Sequence, residues 1–150
     1  MNGAHWHLLL NHIPIFGVLF GIFLLLIGFV KRNELFKNTS FLVFVITALL
    51  TIITFKTGEP AEKVVYDFPT VSHDAIEQHE EKAELALFAI EALGIISLFA
   101  FYFSRKDKPL KVITSFIVLV ISLVSFFLVI VTAIEGGEIM HSEIRDKSSQ

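Results

Sequence analysis

The sequence predicts an all-α integral membrane protein, a four-helix bundle with extracytoplasmic N- and C-termini and a single transmembrane domain over residues 1–150. Three observations predict it. Of the 150 residues, 54% are hydrophobic, and the mean hydropathy is +0.71. Soluble domains of this length rarely reach that value, so lipid is the expected solvent. The apolar residues are gathered in four long stretches rather than dispersed. Lys and Arg cluster in alternate connections between those stretches, whereas His and Glu collect in the others.

The first span covers about residues 8–30 and closes at Lys31-Arg32. It lacks a basic leader and a small-residue cleavage site, so it reads as a retained helix. The second covers about 38–56, with its apolar part from Phe41 to Phe55, and Thr57-Gly58-Glu59-Pro60 closes it through the Gly and Pro stop signals. The third covers about 80–103, and Ser72 or Asp74 is placed to cap a helix that starts ahead of the membrane. The fourth covers about 112–135 and ends at Gly136-Gly137. Crossing the hydrocarbon core takes about 20 apolar residues, and all but the second stretch reach that length.

Orientation follows from the basic residues. Lys31, Arg32 and Lys37 join spans one and two, and Arg105, Lys106, Lys108 and Lys111 join spans three and four. Short loops rich in Lys and Arg stay in the cytoplasm, which places both termini and the long middle loop outside.

The absence of cysteine excludes disulfides, iron–sulfur clusters, thiolate zinc sites and covalently attached c-type haem. There is no basic patch with interleaved aromatics, so a nucleic-acid partner is not expected. The chain also lacks a nucleophilic-serine motif, a phosphate-cradling glycine loop and a dinucleotide fingerprint.

On this topology all six histidines (His5, His7, His12, His73, His79 and His141) fall on the outer side, with Glu59, Glu80, Glu84, Glu135 and Glu138. Imidazoles and carboxylates gathered at one end of a bundle are transition-metal ligand chemistry. His12 lies inside the apolar run, where an unpartnered imidazole is costly, so it is expected to be a ligand. His5 and His7 flank Trp6, an interfacial anchor type, and are expected to be hydrogen-bonded surface residues. His79 stands above a column of small residues, Ala83, Ala86, Gly94 and Ser97, which permits close helix packing or a planar cofactor. Glu138-Ile-Met-His141 is a Glu-x-x-His pair, the spacing used by carboxylate-bridged metal bundles.

One ring of His12, Glu59, His79, Glu135, Glu138 and His141, with Glu80 beside it, therefore has two readings. It holds zinc, iron, copper or manganese, or His12 and His79 ligate a b-type haem axially. The density of carboxylates favours the non-haem ion. Glu84 is a possible proton or supporting group, and so is Glu91, which lies well inside the third span.

The arrangement resembles a family of small bacterial four-helix membrane proteins of unknown function. That family carries His-Phe-Pro-Ile in helix one, here His12-Ile13-Pro14-Ile15, and a Thr-Gly turn after helix two, here Thr57-Gly58. It also has a histidine opening helix three, here His79, and Gly-Gly near the end of helix four, here Gly136-Gly137. The family's earlier His-Pro pair is missing, and Glu138-Ile-Met-His141 replaces its apolar ending. Fusion of relatives to cytochrome-like domains implies a redox setting, and the resemblance implies the bacterial inner membrane with the site facing the periplasm or exterior.

Four function classes follow. The first is a metal- or haem-binding redox protein with a periplasmic or quinone partner. The second is a metal-dependent membrane hydrolase with Glu80 or Glu84 as base. The others are an accessory or transport subunit using Glu91, and a structural bundle. Beyond the lipid bilayer, a redox partner or a second copy of the chain is the expected partner.

Overall fold

The computed structural model describes residues 2–104 and 108–141. Arg105 and Lys106, used above for orientation, lie outside the described residues. Those described form α1 (Gly3–Leu10), α2 (His12–Val30), α3 (Glu34–Lys56), α4 (Gly58–Val65), α5 (His73–Phe103) and α6 (Lys108–Glu138), with no strand among them. Four helices are long and apolar enough to cross a membrane: Gly3–Val30, Glu34–Val65, His73–Phe103 and Leu110–Glu138. The fold is thus an all-helical bundle with four candidate spans.

The helices pack in a ring, α2 on α3, α3 on α5, α5 on α6 and α6 back on α2. The sequence repeats behind this are near seven residues. Buried positions step by four and three along Pro14, Val18, Gly21, Leu25 and Gly28 in α2, and along Ala86, Ile90, Leu93, Ser97 and Ala100 in α5. In α6 the seam is Ser115, Val118, Ser122, Ser125 and Val129. An apolar face repeating every 3.5 residues is the pattern of left-handed helix pairs.

The seams are rich in Gly, Ala, Ser and Thr because lipid gives no hydrophobic push between helices, and close backbone approach must supply the packing. At Gly94 an added Cβ would lie 2.6 Å from the Ala48 Cβ, so α3 and α5 meet there only because the side chain is absent. Phe41 and Phe44 of α3 are buried in the core, but many other large apolar residues point the other way. Phe16, Phe20, Phe23, Phe88 and Phe127 are all exposed on the bundle's outside, as a lipid-facing surface requires.

Helix three starts at His73, ahead of the span as its capping residues predict, with Ser72 accepting from the Ala75 N–H at 3.2 Å. Other element boundaries differ from the sequence expectations in ways that matter for the site. Gly136-Gly137 does not end α6, which continues to Glu138. The first span is two helices, broken at Asn11, and the second continues past Thr57 into α4. Prolines mark both breaks, Pro14 in the first turn of α2 and Pro60 in the first turn of α4. The short helices beyond the breaks, α1 and α4, pack on each other.

At the opposite end, α2 closes with Arg32 at φ 48°, a left-handed cap, with Arg32 N bonded to Phe29 O at 3.2 Å and Asn33 N to Gly28 O at 2.9 Å. Beside it Glu34 binds Lys37 at 2.7 Å and Lys111 at 2.8 Å, tying the α2–α3 connection to α6. Lys37 is only 7% exposed.

Candidate functional site

The end of the bundle opposite this ion triad carries the histidines. The sequence positions His7 there by a chain of local causes. Asn2 caps α1, its Oδ1 accepting from the His5 N–H at 3.1 Å. Pro14 has no N–H to give to the Leu10 carbonyl one turn back. That carbonyl instead accepts from Thr54 Oγ1 of α3 at 3.2 Å. The hydrogen bond holds the α1–α2 break against the end of α3, where Thr57 stands.

His7 Nδ1 lies 3.0 Å from Thr57 Oγ1. The Thr57 hydroxyl gives its own proton to the Thr54 carbonyl, so it accepts from His7. A neutral His7 that donates through Nδ1 carries its lone pair on Nε2, and the ring also has the Thr54 backbone as a hydrogen-bond partner. His79 repeats the logic from α5. Its Nδ1 lies 3.0 Å from the Thr132 carbonyl of α6, and a carbonyl can only accept. His79 Nε2 is again the free base. A ring N–H fixed by a neighbour and a lone pair left on the other nitrogen is how proteins prepare an imidazole to bind a metal.

The two half-buried rings meet edge-on, centroids 6.3 Å apart and planes at 89°. The backbone around them is bare. A Cβ at Gly136 would come 3.0 Å from His79 Cε1, so only glycine lets the ring lie against α6 as it does. A Cβ at Gly58 would stand 4.0 Å from His7 Cε1, an ordinary contact, so that ring does not require glycine there.

The imidazole that meets His79 is thus His7 and not His12. His12 is exposed, stacked on Phe16 with centroids 6.3 Å apart and planes at 15°. His5 is occupied with Asn2 Oδ1 at 2.8 Å. His73 stacks on Tyr66 and bonds its carbonyl at 3.0 Å. Glu59 is exposed and paired with Lys63 at 2.6 Å. Glu80 is exposed, in a carboxyl–carboxyl contact with Glu62 and in the field of Glu84 and Glu59. Glu135 is half-buried and acts electrostatically on His79. Glu138 is half-buried and His141 exposed at the end of α6, both with partners of their own. Glu91 is half-buried in the membrane-crossing part of α5. Among the described residues no group of three or more His, Cys, Asp or Glu side chains is arranged to hold a metal ion.

Sequence reasoning passed over His7, although a signal for it exists. The buried seam of α2, read backwards from Gly28 through Leu25, Gly21, Val18 and Pro14, continues in steps of three and four to Asn11 and His7. His12 falls one residue off that seam. Comparison with protein-family models, curated proteins and solved structures finds no match to this chain.

Proposed function

We propose that this is an integral membrane redox protein in which His7 and His79 share one transition-metal centre at the extracytoplasmic end of the bundle. One observation carries the reading: two imidazoles from different helices stand edge-on with centroids 6.3 Å apart, each hydrogen-bonded through Nδ1. Metal–imidazole bonds are about 2 Å long, so two rings that share one ion stand with centroids roughly 5–6.5 Å apart, and the observed 6.3 Å falls in that range. With two protein ligands and no three-ligand group among the described residues, the centre suits a metal that brings its other ligands with it, and b-type haem iron is such a centre. Bound there, it would supply one-electron transfer to a redox partner. The second reading is a non-haem iron, copper, zinc or manganese ion, favoured by the field of Glu135 on His79.

The orientation belongs to this proposal. Lys31, Arg32, Lys37 and Lys111 at the far end support a cytoplasmic location for it, with both termini and the histidine end outside the bacterial inner membrane. Since the chain has no cysteine, the variants Lys63→Cys and Arg32→Cys report sidedness without background. A membrane-impermeant maleimide should label the first in intact cells and not the second.

The deciding experiment is a visible spectrum with elemental analysis on the detergent-purified protein. A Soret band with iron near one per chain indicates haem, and stoichiometric metal without the band indicates the ion. His7→Ala and His79→Ala should each abolish the stoichiometric metal, and His12→Ala should not. Retention in both of the first two variants rejects the centre.

A further inference from the structure

Glu91 is the one Asp, Glu, Lys, Arg or His within residues 13–30, 41–55, 85–103 and 112–134, the apolar bodies of the four spans. Its Oε1 is buried and accepts no hydrogen bond. The helices packed on either side of α5 are α3 and α6, and at this depth they offer hydroxyls only. Ser125 Oγ is already donated to the Ala89 carbonyl at 3.1 Å, Ser122 Oγ to Leu119 O at 2.8 Å, and Thr51 Oγ1 to Thr47 O at 2.8 Å. An ionised carboxylate here would have neither a cation nor a spare donor, whereas a neutral acid needs far less from its surroundings.

The same face of α5 is asymmetric. Seven and eleven residues toward the histidine end stand Glu84 and Glu80, and seven and eleven residues the other way stand Leu98 and Tyr102. Glu84 is two helical turns from Glu91, about 10 Å along the axis.

We propose that Glu91 is a proton-binding site in the membrane interior that exchanges its proton with the histidine-bearing side of the bundle, by way of Glu84. This stands whether or not His7 and His79 hold a metal.

The test uses the full chain in lipid nanodiscs and dicyclohexylcarbodiimide, an apolar reagent that reacts with protonated carboxyl groups. The acid's proton passes to a carbodiimide nitrogen, its oxygen bonds the central carbon, and acyl migration leaves a stable N-acylurea with no leaving group. One adduct per chain is expected, mapped to Glu91 and lost completely in Glu91→Gln. Infrared spectra should show a protonated-carboxyl C=O band missing from Glu91→Gln. On transfer to D2O that band should shift several-fold more slowly in Glu84→Gln than in the wild type. Absence of both the adduct and the band in the wild-type protein overturns the proton site. An unchanged exchange rate in Glu84→Gln overturns the route.

Discussion

Thr54 of α3 donates its hydroxyl proton to the carbonyl of Leu10, the group that Pro14 leaves without a helical partner. The same proton is shared with Leu50 O at 3.1 Å, so one hydroxyl serves two carbonyls on two helices. Replacing it with an isosteric methyl leaves a carbonyl orphaned near the membrane interface, at about 1–3 kcal/mol. Thr54→Val should lower the thermal unfolding midpoint in detergent, and Thr54→Ser should recover most of the loss. Equal stability of the Val and Ser variants would show that water serves the Leu10 carbonyl instead.

Thr57 orients His7 through a single hydrogen bond. Groups that fix the ring of a metal-bound histidine typically change affinity about 10–100-fold when removed. Thr57→Val should therefore weaken metal or haem retention by that order, measured by competition with a chelator or by haem transfer to an apo-acceptor. Thr57→Ser should retain wild-type affinity. The helix end itself keeps its backbone bond from Thr57 N to Thr54 O at 3.0 Å, so the Val variant should remain folded.

Gly136 sets how closely α6 approaches His79. An added Cβ lies 3.0 Å from Cε1 and 3.1 Å from Nδ1, so Gly136→Ala must push the ring by a few tenths of an ångström. Its bond to Thr132 O lengthens with it. The expected signature is a changed spectrum, a shifted ligand field or Soret position, at nearly unchanged far-ultraviolet helicity. An identical spectrum would mean that the ring has room to move.

Glu34 neutralises two lysines at the other end. Removing its charge strands Lys37, which is 7% exposed. The penalty for breaking a fully buried pair is about 3–5 kcal/mol, and the 40% exposed Glu34 side chain reduces it to about 1–3 kcal/mol through solvent screening. Glu34→Gln should thus destabilise more than Lys111→Ala, whose side chain is 22% exposed. Urea or thermal unfolding of the two variants side by side checks the order.

The spans were legible because each is a long apolar stretch bounded by strong signals. Lys31-Arg32 ends α2, Ser72 starts α5, and the alternate clustering of basic residues marks two of the connections. Helix rotation about its own axis was not legible by the same means. Whether His7 or His12 faces the bundle depends on about one residue of phase, and the depth of His12 within the apolar run drew attention to it. Phase is carried by the small residues, from Gly28 back to Pro14, and reading their repeat toward the N-terminus reaches His7. The Gly136-Gly137 pair looked like a stop, but in a helix held by neighbours Gly136 instead makes room for an imidazole. The Glu-x-x-His pair of Glu138 and His141 lies at the end of α6, where His141 N still bonds Gly137 O at 3.3 Å.

Both imidazoles are oriented by residues synthesised after them: His7 by Thr57, 50 residues later, and His79 by Thr132, 53 residues later. A nascent chain therefore carries each ring unset until the helix that steadies it has entered the bilayer. The pair is complete only when α6 has docked, so the proposed centre would load late, after insertion of the earlier helices. If the proposed centre forms, a ribosome-stalled chain ending before Thr132 should insert its earlier spans and still fail to retain a metal, and occupancy would then report finished assembly.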